Sequence, residues 1–366
     1  MSELIVIDLL PLDFDADSYL SQPLGGTQSA VMDTCISLAG QAKVTLFNGV
    51  SAPRDYGRLR IRPNTQITLA ELAGARWIVF VSWVTGMGLR QLPARSAGSE
   101  VVLWAHHDID QEAVRFLDQP GNAASFSRFL FVSRWQRDRY LGRFGIGAEK
   151  AAVIGNPYCD RALREVDARE KVFDTPRIIY SSTPFRGLAV LADAFPLFRK
   201  DHPGASLVVL SGMELYGLAD NAPYASLFRR LAGTPGVTLS KPLGKLALYR
   251  ELQRANVFSY PSTFPETFCI AALEARVAGN PLWLTRLGAL PEIFADASFW
   301  EAPNGDAPSP EAWAEFMARN WAATQSAIVQ DALAAQQAAC RSAHSPAAVA
   351  GRLLRALGHA EAATRA

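Results

Sequence analysis

Short unbroken runs of apolar residues alternate along this chain with amphipathic stretches. The runs at residues 4–9, 43–47, 77–82, 101–104, 129–133 and 152–154 predict strands in the first half. Residues 177–181, 206–210, 237–239, 257–260 and 281–285 predict strands in the second. Most are continuous in Val, Ile and Leu instead of alternating with polar residues. That pattern belongs to strands buried on both faces, as in a parallel sheet covered by helices. Strand–helix alternation repeated this often implies a doubly wound α/β protein. Residues 158–176 break the rhythm, being charged and ending in Pro176. They read as a linker between an N-terminal Rossmann-like domain, residues 1–157, and a C-terminal one, residues 177–335. From about Ser309 onward the chain is rich in Ala, Gln and Arg at helical spacing. Residues 336–366 read as terminal helices that pack back on the first domain. Open α/β sheets bind ligands at the carboxyl ends of their strands, so two such domains are expected to share a cleft there.

Composition narrows this picture. A chain of 366 residues is longer than one ordinary core needs, which agrees with two domains. Its 49% hydrophobic and 19% charged content is that of a globular protein. A formal net charge of +1 argues against a nucleic-acid binder, which carries a basic excess. Cys35, Cys159, Cys269 and Cys340 are far apart, with no CxxC pair, so a reducing compartment fits better than a disulfide framework or a zinc site. The opening MSELIVIDLL has no basic region before its apolar run and reads as a first strand, not a signal peptide. No apolar run approaches the length of about 18 residues that a membrane span needs. The expectation is a cytoplasmic protein, with peripheral contact at the inner membrane surface left open.

Five segments could carry chemistry. In PLGGTQSA, Gly25 and Gly26 precede an amphipathic helix and Thr27 is a plausible N-cap. The glycines let backbone approach a ligand, and the helix N-terminus favours an anion, although an ordinary glycine turn would look the same. WAHHDID follows a strand, so His106, His107 and Asp108 fall at its carboxyl end. A His there can bond a sugar hydroxyl or phosphate while a carboxylate orients it, or the pair can simply cap the strand. FVSRWQRDRY ends a strand, and Ser133 caps a helix made basic by Arg134, Arg137, Arg139 and Arg143. Solvated arginines are its ordinary reading. In YSSTPFRGL, Arg186 and Gly187 open a helix after a strand, and the Arg186 fork suits two phosphate oxygens.

The fifth segment, YPSTFPETFCIAALEARVAGNP, reads as strand, loop, helix and glycine stop at Gly279. Glu266 is placed at the helix entrance and Glu274 eight residues on. On one helix that is about 12 Å of rise and about 80° of rotation, so the two carboxylates would touch different parts of one elongated ligand. Amides from Phe268, Cys269 and Ile270 at the helix start could hold a diphosphate. Glu274 lies inside an apolar run, where a carboxylate needs a partner.

At these residues the chain resembles the retaining glycosyltransferases of the GT-B fold, family four. The resemblance rests on Glu266 and Glu274 with seven residues between them, the Gly25–Gly26–Thr27 loop, His107 after a strand, Ser133 with its helix, Asn156–Pro157 near the domain crossover, and GALPE at 288–292. It implies two Rossmann-like domains facing across a cleft. It implies transfer of a sugar from a nucleotide-diphosphate sugar, as co-substrate, to a glycan, lipid-linked or small-molecule acceptor. It also implies that Glu274 bonds the ribose and Glu266 the donor sugar. Gly25, Gly26, Thr27, Ser182, Thr267, Phe268, Cys269 and Ile270 would surround the donor, with Arg186 on the diphosphate and His107 near the reaction centre. The family places a second cation where this chain has Ser181, so Lys241 and Lys245 are candidates to replace it. No cofactor is expected and no metal site is assigned, because no DxD stands at a strand end; the Asp108–Asp110 pair lies beyond the histidines.

Other readings are an epimerase or phosphorylase on the same fold, and a non-catalytic binder of sugar nucleotides or glycans. A dehydrogenase is disfavoured, because Gly86–Met87–Gly88 lacks the third glycine of a dinucleotide fingerprint, and there is no P-loop.

Overall fold

A computed structural model describes residues 3–84, 98–213, 222–302 and 306–358. The segment Gly86–Met87–Gly88 lies outside them. The chain divides into two compact units. The first takes residues up to 18, 27–157 and those from 344 on; the second takes 19–26 and 158–343.

The first unit holds β1 (Glu3–Ile7), β2 (Lys43–Asn48), β3 (Arg54–Tyr56), β4 (Leu59–Pro63), β5 (Ala75–Val81), β6 (Glu100–Ala105), β7 (Arg128–Phe131) and β8 (Ala151–Val153). Their order in the sheet is β3-β4-β2-β1-β5-β6-β7-β8, and every pairing is parallel except β3 with β4. One core under this sheet joins Ile5, Ile7, Ile78, Leu103, Phe129 and Tyr140. The sequence reading missed β3 and β4. LRIRP alternates buried and half-buried positions, a period-two signal, and Gly57 makes the turn at φ 64°.

In the second unit β9 (Arg177–Ser181), β10 (Ser206–Leu210), β11 (Val237–Ser240), β12 (Val257–Tyr260), β13 (Leu282–Thr285) and β14 (Ser298–Trp300) form a wholly parallel sheet ordered β11-β10-β9-β12-β13-β14. The chain runs outward from β9 through β10 to β11, then crosses to β12 on the other side of β9. That reversal opens a crevice at the carboxyl ends of β9 and β12, where such sheets bind ligands.

Two boundaries differ from the reading of the sequence. The stretch taken as a linker contains the helix Asp160–Glu165, and Lys171 ties its remainder to the second unit. Its ammonium donates to the carbonyls of Leu252 (2.6 Å), Ala255 (2.6 Å) and Gln253 (3.2 Å), at the end of the helix Lys245–Arg254, and to Asn280 Oδ1. Helix ends leave such carbonyls without partners, so Lys171→Met is expected to lower stability by about 2 kcal/mol. An unchanged urea midpoint would count against that role. The helix Ala327–Ala343 runs through residue 336 and stays with the second unit. There Gln337 and Arg341 both donate to the Val277 carbonyl, at 2.9 and 2.8 Å. Only from His344 does the chain rejoin the first unit, where Arg352 donates to the Ile154 carbonyl at 2.7 Å. Among the described residues no helix is long and apolar enough to cross a membrane.

Candidate functional site

The crevice between β9 and β12 is shaped first by backbone. After β9, Tyr180 donates its hydroxyl to the Thr183 carbonyl (2.7 Å) and the Arg186 carbonyl (3.3 Å), folding the loop into a tight turn. Gly187 follows at φ 90° and caps the helix Leu188–Asp201. A Cβ at Gly187 would collide with the Pro261 carbonyl just beyond β12, so glycine is what lets these two strand ends meet.

Arg186 points from this turn to Glu266. Its guanidinium pairs with Glu266 Oε1 and lies over the ring of Phe264 at 4.5 Å. The same carboxylate oxygen accepts the Tyr260 hydroxyl at 2.6 Å, and that hydroxyl stands 3.4 Å from Ser182 Oγ. Burial pushes the Tyr260 phenol well above its ordinary pKa, so it stays a donor. The Glu266 backbone is held as well. Its carbonyl accepts the Ala289 amide at 2.8 Å, and Gly288, at φ 61°, packs so closely that a Cβ there would fall 2.5 Å from that carbonyl oxygen. The GALPE segment thus seats Glu266 directly.

Glu266 is not on the helix, which corrects the sequence reading. The helix spans Ile270–Val277, and Glu266 and Thr267 lie in the loop before it. Its N-cap is Cys269, at φ 77°, a conformation non-glycine residues seldom adopt. The first intrahelical bond runs from the Leu273 amide to the Cys269 carbonyl. The amides that find no partner within the helix therefore belong to Cys269, Ile270, Ala271 and Ala272, and the expected Phe268 precedes them. The estimate of rise and rotation between the two glutamates does not apply. Burial and the nearby Glu266 push the Cys269 thiol up, so it is no thiolate nucleophile. At the other end Gly279, at φ 88°, stops the helix as the sequence predicts. Its amide donates to Arg276 and that of Asn280 to Ala275, the paired bonds of a left-handed cap.

Glu274 does have the partner its apolar setting demands. Lys245, first residue of the helix Lys245–Arg254, reaches Glu274 Oε1 at 2.7 Å, and both side chains are buried. Lys245 is thereby committed to Glu274, and Lys241 is exposed. Ser181, where the resemblance expected a cation, keeps a buried hydroxyl without a hydrogen-bond partner. The N-terminal segment 19–26 joins the same neighbourhood. A Cβ on Gly26 would touch Ile270 Cδ1 at 3.3 Å, and Gly244 packs on the Ser21 backbone. The helix there already begins at Gly26, so Thr27 is in its first turn and the cap position falls to Gly25.

In the first unit the carboxyl end of β6 carries the histidines. His106 is buried against Trp104 at 4.9 Å, and burial beside His107 pushes it down to about 3, leaving a neutral ring. The His107 carbonyl accepts Gln136 Nε2 (2.9 Å) and the Tyr140 hydroxyl (2.8 Å), fixing the half-buried His107 by its backbone. Asp108 turns to other partners: its Oδ1 accepts Arg139 Nε at 2.7 Å and the Ile109 amide at 2.8 Å. Ser133 caps its helix by accepting the Gln136 amide, as predicted. Sequence reasoning missed Asp8, buried at the end of β1 with Gln28 and the Leu10 amide on its carboxylate. Its place at the end of the central strand was the available signal.

Residues 175–321 match the family of glycosyl transferases group 1. A GDP-mannose-dependent alpha-(1-6)-phosphatidylinositol monomannoside mannosyltransferase of Mycolicibacterium smegmatis is 28% identical over 229 residues, which is 57% of this chain and 56% of that protein. A D-inositol 3-phosphate glycosyltransferase of Mycolicibacterium paratuberculosis is 34% identical over 94 residues, 26% of this chain and 21% of that one. The chain thus spans little more than half the length of the first of these relatives. Among solved structures, sucrose-phosphate synthase from Thermosynechococcus elongatus superposes with a TM-score of 0.69 at 17% identity, covering 98% of this chain and 99% of that one. Anabaena HepE in complex with UDP and glucose gives 0.68 at 14% identity, covering 98% and 100%.

Proposed function

We propose that this chain moves a sugar from a nucleotide-diphosphate sugar to a hydroxyl-bearing acceptor, with retention at the anomeric carbon; the match of residues 175–321 to glycosyl transferases group 1 and the likeness of its fold to sucrose-phosphate synthase support this reading. The observation that carries this is the pair of buried carboxylates on one strand–loop–helix segment, each held by its own cation: Glu266 by Arg186 and Glu274 by Lys245. In this reading the donor lies along the Ile270–Val277 helix, its ribose at Glu274 and its sugar at Glu266. As the bond from the anomeric carbon to the phosphate oxygen breaks, negative charge grows on the diphosphate. Arg186 and the amides at the helix start stabilise it without reorganising. The acceptor oxygen bonds the anomeric carbon on the face the nucleotide leaves and passes its proton to the departing phosphate oxygen, with His107 assigned to that neighbourhood. No metal or cofactor is assigned a part. Glycans, lipid-linked compounds and small molecules are the acceptor classes, and the protein acts in the cytoplasm.

The first test is a thermal-shift screen with UDP-, GDP-, ADP- and TDP-sugars, since a ligand bound only by the native form raises the melting point. Transfer to acceptor is then scored against epimerisation and simple binding of the donor that shifts it. Glu274→Ala is expected to raise the donor KM by about tenfold or more with a smaller effect on kcat, as loss of one charge-assisted bond made in both ground and transition states. An unchanged KM would refute the ribose assignment.

A further inference from the structure

The Lys245–Glu274 pair is an expensive way to fasten two helices. Lys245 stands at the first position of its helix, where a cation opposes the dipole. Both charges are stripped of water, and apolar residues of the same size would hold the helices at least as well. Its location gives it another use. The segment 19–26 touches this region at two points: Ser21 packs on Gly244, the residue before Lys245, and Gly26 packs on Ile270. Ile270 and Glu274 are four residues apart on one helix and so share a face. The ion pair therefore sits one residue and one helical turn away from the places where the glycine segment closes over the two helix starts.

Resting on the donor-binding reading above, we infer that Lys245 is a positioning residue that holds the Glu274 carboxylate in the orientation that grips a vicinal ribose diol. Lys245 donates to Oε1 of Glu274 at 2.7 Å, and in this inference that bond limits how the carboxylate can turn, leaving Oε2 for two adjacent hydroxyls. A nucleotide without those hydroxyls leaves a buried charged acceptor short of its ligand bonds, which is how polar sites reject analogues.

The experiment measures dissociation constants by calorimetric titration for UDP, GDP and ADP and for their 2′,3′-dideoxy forms. The wild-type protein is expected to prefer the ribonucleotide by about tenfold or more, the worth of one hydrogen bond to a charged group. In Lys245→Met that preference is expected to fall to about threefold or less while affinity for the dideoxy form stays the same, because only diol recognition is lost. Lys245→Arg, which keeps the charge, is expected to restore at least half of the preference on a logarithmic scale. If Lys245→Met fails to fold, Lys245→Gln is read in the same way. A folded variant that melts earlier yet keeps the full wild-type preference overturns the inference and leaves the pair a mere clamp. A wild-type preference near one overturns the ribose assignment of Glu274 itself, and this inference with it.

Discussion

Glu266→Gln is expected to lower kcat for sugar transfer by about a thousandfold, the upper range for losing one fixed electrostatic contact, with the fold intact. The substitution is nearly isosteric. The side-chain oxygen can still accept the Tyr260 hydroxyl, and the Gly288 contact with the backbone is untouched. What is lost is the negative charge. In the proposed reaction that charge binds sugar hydroxyls and offsets the positive charge that builds on the ring as the nucleotide departs. Arg186, relieved of its counter-ion, would also be drawn toward the diphosphate in the ground state. Binding of donor should therefore change much less than turnover. Alanine is a poorer choice. Glu266 is only 4% exposed, so removing it strands Arg186, and breaking a buried pair costs about 3–5 kcal/mol. A kcat within about threefold of wild type would end the assignment.

Gly187→Ala is expected to cost the second unit about 4 kcal/mol or more, placing it in the exceptional tail of single substitutions. Two penalties add. A left-handed φ of 90° is strained for any residue with a Cβ, and the new methyl would run into the Pro261 carbonyl. Backbone cannot yield cheaply here, since Tyr180 pins both sides of the turn and the Arg186 carbonyl is part of it. A fall of roughly 10 °C in the melting temperature corresponds to that cost for a unit of this size. Turnover should drop as well, because Arg186 and the Pro261–Ser262 loop would move apart. A variant melting with the wild-type protein would show that the turn is soft, and the close approach of β9 and β12 would lose its importance.

How far the sequence could be read depended on how local each feature is. Strands β9, β10 and β12 were legible to the residue, because unbroken apolar runs bounded by Pro or polar residues have one sensible solution. The β3–β4 hairpin escaped, since RDY and LRIRP are too charged to stand out without their partners. The residues of the candidate site were legible as types, but their roles were set by contacts distant in sequence. Lys245 and Glu274 are 29 positions apart, and no spacing rule pairs them. Tyr260 looked like the end of a strand and proved to be a donor to Glu266. The start of the helix was misplaced because a left-handed cysteine is rare, and the apolar spacing of FCIAALEA reads as helical from its first residue.

The two sheets end in four outer strands, β3, β8, β11 and β14, of three, three, four and three residues. Among the described residues every inner strand except β7, β12 and β13 has five or more. An outer strand carries a row of backbone groups that a neighbouring molecule can copy, and longer rows make better templates. By keeping the rims short, and by charging one of them with Arg54 and Asp55, the chain gives its interior strands generous length without offering other copies an edge on which to grow fibrils.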